Sequence, residues 1–418
     1  MESYHIRGGN KISGEYSVKG AKNAALPILA ATILSGAECQ LSNIPQITDV
    51  CSMKKILNEL GCKIDTGDET ITVDSRELVA DTISLKRMRE MRSSVFLLGA
   101  LLGRCGSAVI SQPGGCNIGS RPIDLHLYAL RKLGVEITEE DDVITCKANK
   151  LRGAVIDLSF PSVGATENAI MAAVTAEGHT ELNNCAMEPE ICDLQDFLNS
   201  CGADINGAGT KTIHINGCSS LHGGNHRIIP DRIECGTYLV AAAATGGEIT
   251  INNVKSQHLK SILEKLIETG CEVGVKRDKI YLKACSKLNA LDRIITGPYP
   301  EFPTDLQSPF LTMLTLAEGK SYVEETIFEN RFAFTNELRK MGADIQVENN
   351  RAFVTGVGTL QGCRVAATDL RGGASLAIAG LMAQGETIIE GVEHIERGYA
   401  DFSQTLKSLG ADIRKTND

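Results

Sequence analysis

The sequence predicts an α/β protein of two domains, each built from three repeated units with buried helices. Three observations lead there. A helical pattern ending in Leu-Gly or a close variant recurs six times, at Gly61, Gly134, Gly202, Gly270, Gly342 and Gly410, in steps of 73, 68, 68, 72 and 68 residues. An Ala-rich helix followed by Gly and a strand recurs between those marks, at Gly36, Gly106, Gly178, Gly246, Gly319 and Gly385, in steps of 70, 72, 68, 73 and 66. Finally, 418 residues are more than one hydrophobic core organises. Two independent markers thus define six units, and three units to a domain suit the length.

Each element has a local reason. A Gly closing a helix takes the left-handed conformation that ends it. The residues that follow alternate as a strand does, as in Glu136-Ile137-Thr138. The Ala-rich helices, such as Ala24 to Leu34 and Ser375 to Ala383, are apolar nearly all round, which marks them as buried rather than amphipathic. The first unit begins near Gly20 and the last reaches the C-terminus, so the N-terminal strand, His5 to Val18, is expected to complete the final unit. One domain is therefore expected at 21–229 with the Cys116 loop. The other is expected at 1–20 plus 230–418, with Asp305 and both termini.

Composition narrows the function. A net charge of −10 argues against a general nucleic-acid binder, but a few focused cations can still dominate a cleft for an anionic substrate. Fourteen cysteines include no C-x-x-C pair, so neither a zinc knuckle nor a redox motif is expected. His126, His222 and His226 have no metal-ligand spacing, and no metal is expected. The start Met1-Glu2-Ser3-Tyr4-His5 lacks the basic and apolar regions of a secretory signal. The apolar run Ala24 to Leu34 contains Pro27 and is too short to span a bilayer. A reducing cytoplasm is the expected location, with most thiols acting as small buried hydrophobes.

The charges at helix starts break a local rule. The positive end of a helix disfavours Lys and Arg. Yet helices of the Ala-rich type are expected to open near Lys22, Arg92, Arg232 and Arg371, and those of the second type near Arg121, Arg331 and Arg397. Cations added to helix N-termini make a trap for anions, and a rule broken repeatedly at equivalent places points to function. Asp305 holds the corresponding place in the fifth unit, where an acid serves either as a cap or as a general base.

The segment Pro113-Gly114-Gly115-Cys116-Asn117-Ile118-Gly119-Ser120-Arg121-Pro122 reads as an irregular loop. It has the first Gly spacing of a P-loop but not its Gly-Lys continuation, and no G-x-G-x-x-G occurs in the chain. A thiol in a loop five residues from Arg121 is placed to gain thiolate character, which makes Cys116 the candidate reactive residue.

These segments together resemble a family, the UDP-N-acetylglucosamine 1-carboxyvinyltransferases. The resemblance runs end to end. It includes Gly20-Ala21-Lys22-Asn23-Ala24-Ala25-Leu26-Pro27, the Cys116 loop, Ser162-Val163-Gly164-Ala165-Thr166 and Glu188-Pro189-Glu190. It continues through Pro230-Asp231-Arg232-Ile233-Glu234, Phe302-Pro303-Thr304-Asp305, Phe328-Glu329-Asn330-Arg331, Ala367-Thr368-Asp369-Leu370-Arg371 and Arg397-Gly398-Tyr399.

The resemblance implies the enolpyruvyl transferase fold, two inside-out α/β domains with their helices at the centre. It implies transfer of the enolpyruvyl group of phosphoenolpyruvate to the 3-hydroxyl of UDP-N-acetylglucosamine, the first committed step of peptidoglycan synthesis, without a cofactor. It further implies Asp305 as base and Cys116 as proton donor, with Lys22, Arg121 and Arg397 clamping phosphoenolpyruvate. Arg92, Arg331 and Arg371 assist binding. Asn23, Arg121, Pro122, Ile123, Asp124, Leu125, Ser162, Val163, Gly164 and Ile327 hold the sugar nucleotide. Gly372-Gly373 stands where the family is more Ala/Ser-like, and is expected to loosen the helix start beside Arg371.

Two rivals compete. The shikimate-pathway enolpyruvyl transferases share fold and donor, but the Cys116 loop and Ser162-Val163-Gly164 favour the sugar-nucleotide enzyme. A ring-shaped DNA clamp is also acidic and repetitive, but it would line exposed helices with cations, whereas the first helices here are apolar.

Overall fold

A computed structural model describes residues 2–67, 70–83, 92–111, 118–119, 123–141 and 143–417, with Arg92 and Ser93 described by their backbone alone. The described residues fall into two compact units. One comprises those of 20–115 and 121–229, the other those of 1–19, 116–120 and 230–418. Ile118 and Gly119 therefore belong with the second unit, unlike the expected domain of 21–229. The tie is a backbone hydrogen bond from Asn330 N to the Ile118 carbonyl, at 3.0 Å.

The six repeats are present as structure. All twelve marker glycines have positive φ, from +56° at Gly36 to +115° at Gly319. After Gly61, Gly134, Gly202, Gly270, Gly342 and Gly410, the next residue donates its N–H to the carbonyl five positions back, as Cys62 does to Leu57 and Ala411 to Leu406. That hydrogen bond satisfies a carbonyl the helix end would otherwise leave open.

Each repeat runs buried helix, strand, second helix and an antiparallel strand pair, a hairpin in the first five and Asp412–Asn417 with Glu2–Arg7 in the sixth. A short parallel strand joins the edge, as Val155–Asp157 joins His179–Asn183 and Arg364–Ala366 joins Glu386–Glu390. In the second repeat the parallel strand shrinks to one bridge, Thr82 with Val109. One backbone bond recurs in all six, from the residue after the hairpin to the turn after the buried helix. The pairs are Ser75 to Ala37, Ala148 to Gly106, Gly217 to Gly178, Ala284 to Gly247, Gly356 to Gly319 and Gly8 to Gly385, at 2.8–3.4 Å.

The N-terminal segment departs from the single strand expected. Glu2–Arg7 lies between Glu386–Glu390 and Asp412–Asn417 and completes the last repeat. Ser13–Ser17 pairs in parallel with Glu248–Asn252 and serves the fourth repeat instead. Gly8 and Gly9, the latter at φ +98°, stand between the two strands.

The helices of the Ala-rich type are the core. In Lys22–Ser35 every residue but Asn23 is buried, and in Arg232–Ala244 every residue but the last. Within one unit Lys22–Ser35, Leu97–Cys105 and Val163–Ala173 pack on one another; within the other Arg232–Ala244, Gln307–Leu314 and Leu370–Met382 do. The second-type helices cover only one side. Thr48–Glu59 buries Asp49, Val50, Met53, Ile56 and Leu57, the spacing of a single helical face. Central helices with sheets and amphipathic helices around them give each unit its inside-out character.

Polar groups buried at the start of Arg232–Ala244 fasten the N-terminal segment. Glu234 accepts from the Tyr16 hydroxyl at 2.8 Å and from Lys19 N at 3.0 Å, and Asp231 N donates to the Lys19 carbonyl at 2.9 Å. Burial, reinforced by the neighbouring Asp231 charge, raises the Glu234 pKa to about 7 from an ordinary 4.5, although both hydrogen bonds oppose the shift. Folded Glu234 therefore keeps a proton that the unfolded chain has already released. Its contribution is present below the unfolded pKa and is lost as pH rises through the folded one. We expect the unfolding free energy to fall by up to roughly 3 kcal/mol between pH 5 and pH 8 from this group. Urea titrations at the two pH values measure the drop, and Glu234→Gln should flatten it.

Candidate active site

Asp305 lies in the turn Thr304–Leu306 that leads into the buried helix Gln307–Leu314. One carboxylate oxygen accepts from Arg331 Nη2 at 2.7 Å and the other from Arg371 Nη2 at 2.9 Å. Both arginines are 3% exposed, while the aspartate side chain keeps 23% of its surface. The carboxylate is thus fixed from behind and open in front. Arg331 Nη2 also donates to the Thr304 carbonyl at 3.2 Å.

Burial works against the Arg371 charge, but Asp305, Tyr399 and Asp231 outweigh it and its pKa is raised. Its guanidinium lies 5.4 Å from the Tyr399 ring centroid, and the Tyr399 hydroxyl is 2.8 Å from Thr237 Oγ1. Cations are tolerated at these helix starts because acids cap the same helices. Asp231 accepts from Ile233 N and Glu234 N beside Arg232, and Asp369 accepts from Arg371 N and Gly372 N, each at 2.8–3.0 Å. The signal legible in the sequence is an Asp one or two residues before each Arg.

Asp369 keeps the start of Leu370–Met382 closed, so Gly372-Gly373 does not loosen it. The glycines make room instead. A Cβ at Gly372 would stand 3.0 Å from Phe334 Cβ, and one at Gly373 would stand 2.7 Å from Ile395 Cγ1. Two of the cations expected to open second-type helices do not. Arg331 precedes Thr335–Lys340 by four residues, in a turn. Arg397 closes Glu393–Glu396, at the helix end whose negative dipole suits a cation. Arg232 is buried and stands 5.6 Å from the Tyr299 ring centroid.

In the other unit Lys22 opens its helix and bonds Asp49 Oδ2 at 2.7 Å. Asn23 beside it is half-buried. Ser162 caps Val163–Ala173, accepting from Ala165 N at 3.3 Å. Asp124 is exposed at the start of Asp124–Lys132, between the half-buried Ile123 and Leu125.

The structure brings the segments around Leu125 and Gly164 together. A Cβ at Gly164 would meet His126 Cε1 at 2.8 Å, so only Gly lets the imidazole approach that helix start. Asn168 fixes the ring. Its amide nitrogen lies 2.8 Å from His126 Nδ1 and donates to the Val95 carbonyl at 3.0 Å, while its oxygen accepts from Gly99 N at 2.7 Å. Neither His126 nor Asn168 was a sequence candidate.

Cys116, Arg121 and Pro122 lie outside the described residues, as does the side chain of Arg92. The other thirteen cysteines carry free thiols, of which Cys51 and Cys105 are exposed. Burial pushes Cys62 and Cys185 up to about 12 and Cys146 up to about 11. Cys39 departs from that pattern: its bond to the Cys201 thiol lowers its pKa, although it is fully buried.

Known proteins resemble this chain in sequence and in fold. The sequence pattern of the family described as EPSP synthase (3-phosphoshikimate 1-carboxyvinyltransferase) matches residues 6–406. UDP-N-acetylglucosamine 1-carboxyvinyltransferase 2 of Caldanaerobacter subterraneus subsp. tengcongensis is 52% identical over 413 residues, covering 99% of each chain. The chain belongs to the UDP-N-acetylglucosamine 1-carboxyvinyltransferase family. A further family member, from Clostridium botulinum, is 47% identical and covers 99% of each chain. The enolpyruvyl transferase NikO from Streptomyces tendae superposes with a TM-score of 0.91 at 27% identity, covering 100% of this chain and 99% of its own. An EPSP synthase from Acinetobacter baumannii reaches 0.76 at 18% identity, covering 100% of both chains, which is a likeness of fold.

Membership bears on the rivals. The enolpyruvyl transferase fold disfavours the DNA clamp, and the full-length relatives disfavour the shikimate enzyme. Among the described residues no three His, Cys, Asp or Glu side chains are grouped to hold a metal, and no helix is long and apolar enough to cross a membrane. The Asp305 ion pairs generate a stability prediction. Asp305→Leu removes the acid that both buried arginines share and should cost about 3 kcal/mol, since the breaking of such a pair leaves buried charge uncompensated. Chemical denaturation at neutral pH measures it; a loss under about 1 kcal/mol, the worth of a surface pair, would contradict the arrangement.

Proposed function

We propose that the protein transfers the enolpyruvyl group of phosphoenolpyruvate to the 3-hydroxyl of UDP-N-acetylglucosamine in the cytoplasm, with release of phosphate. This is the first committed step of peptidoglycan synthesis, on which cell shape and division depend. The observation that carries the reading is the 52% identity to a relative of that name over 99% of both chains. The setting of Asp305, held by two arginines, is consistent with it.

In this reading the sugar 3-hydroxyl adds to C2 of phosphoenolpyruvate while C3 takes a proton. The tetrahedral intermediate then gives up a proton from C3 as phosphate leaves C2, which restores the double bond in the enolpyruvyl ether. Asp305 accepts the hydroxyl proton, and its two arginines hold the carboxylate in one direction, the alignment a base requires. Cys116 delivers the proton to C3. Lys22, Arg121 and Arg397 hold phosphoenolpyruvate, with Arg92, Arg331 and Arg371 assisting, and these cations stabilise the charge that develops on carboxylate and phosphate. Asn23, residues 121–125, residues 162–164 and Ile327 hold the sugar nucleotide.

Phosphate release measured with phosphoenolpyruvate and either acceptor tests the proposal. Release should require UDP-N-acetylglucosamine; release with shikimate 3-phosphate alone would favour the rival. In the same assay Asp305→Asn should lose about a hundredfold or more in turnover, as for a lost general base. Calorimetry should find its sugar-nucleotide affinity nearly unchanged.

Cys116 has its own test. Fosfomycin, an epoxide phosphonate that mimics phosphoenolpyruvate, should alkylate this thiol faster when the sugar nucleotide is present. Cys116→Ser should lose inactivation and most activity, while Cys116→Asp should keep more turnover and resist the compound. Peptide mass spectrometry locates the adduct, and labelling at the exposed Cys51 or Cys105 instead would refute the assignment.

A further inference from the structure

Glu325 is a 2% exposed carboxylate immediately after the strand Lys320–Glu324, held by hydrogen bonds from uncharged donors. Its hydrogen bonds run in two directions. One oxygen accepts from Ile327 N at 2.8 Å and Phe328 N at 3.2 Å, the other from Thr304 Oγ1 at 2.9 Å. Its own backbone is held from a third side: Glu325 N donates to the Asn350 carbonyl at 2.9 Å, and Asn350 Nδ2 donates to the Glu325 carbonyl at 3.1 Å. Burying a carboxylate is costly unless hydrogen bonds compensate it, and here the compensating donors belong to two separate segments.

Those two segments carry the candidate chemistry. Thr304 precedes Asp305, and its carbonyl accepts from Arg331, which also holds Asp305. Ile327 and Phe328 belong to the stretch that leads to Arg331, and Phe328 lies 5.5 Å from the Arg331 guanidinium. Thr326 adds a separate clip, donating from its hydroxyl to the Thr296 carbonyl at 2.7 Å. Glu325 is thus a short bridge joining the turn of the candidate base to the segment of Ile327. We infer that Glu325 is a positioning residue for the transfer reaction, setting Asp305 and Ile327 in one fixed relation through Thr304 and the amides of residues 327 and 328. The inference rests on the function proposed above; the bridge itself can be tested without it.

Two variants break the bridge at opposite ends. Thr304→Val removes the hydroxyl at nearly constant shape, and Glu325→Gln replaces one acceptor oxygen with a donor. Hydrogen exchange followed by mass spectrometry reads the amides of residues 327 and 328 directly. Exchange there should accelerate about tenfold or more in both variants, including Thr304→Val, which touches neither amide.

Phosphate-release kinetics should show kcat down by tenfold to roughly a hundredfold, with KM for phosphoenolpyruvate within about threefold, because misplacing a catalytic group costs turnover. The double variant should lose no more than the worse single one, since both break the same bridge. Unchanged exchange in Thr304→Val, unchanged kcat in both variants, or losses that add in the double variant would each overturn the inference. Wild-type protein inert toward both substrates would overturn the proposed function instead, and the exchange data would still decide the bridge.

Discussion

A helix that is apolar on every side can exist only where other elements cover every side. Most of this fold follows from that constraint. Lys22–Ser35 and Arg232–Ala244 offer almost no polar surface, so each needs companions around it. Two other helices of the same kind and the surrounding sheets provide the cover. Three repeats close around three helices, and the sheets, with one face buried and the other exposed, are left outside.

Burial on all sides leaves only the helix ends for polar chemistry. The C-terminal ends are closed by backbone geometry, a left-handed turn and the recurring amide-to-carbonyl bond between hairpin and turn. The N-terminal ends carry partial positive charge and are where charged side chains gather. Cations there would be unfavourable alone, and the fold supplies acids to match. Asp49 meets Lys22, and Asp231 and Asp369 cap the helices of Arg232 and Arg371. Asp305 reverses the pattern, an acid at a helix start that serves two arginines. Side chains that compensate one another also restrain one another.

The repeats are equal in backbone and unequal in side chains. The hairpin-to-turn bond recurs in all six. At the end of the strand that follows the buried helix, however, Asn43, Asn184 and Asn253 take left-handed backbone in the first, third and fourth repeats and donate to the carbonyls of Ile228, Leu158 and Val18 beside the parallel edge strand. The fifth repeat puts Glu325 in that region, where it joins two segments. There a carboxylate stands at the place where the other three repeats carry a structural amide.

By itself the sequence determined the number of repeats, the kind of each helix and the residues worth attention. Those properties are local: a Gly that must be left-handed, an apolar surface without a polar stripe, a charge at a disfavoured helix end. Tertiary structure alone decided whether Asp305 is a cap or a partner of Arg331 and Arg371, because 26 and 66 residues separate it from them. It likewise decided that the first twenty residues supply two repeats rather than one, since a strand's partner is set by what its edge meets. It placed His126 against Gly164 and Glu325 between Thr304 and Ile327. A hydrogen bond between distant segments has no period and leaves no pattern in a sequence; it exists only once the repeats have packed.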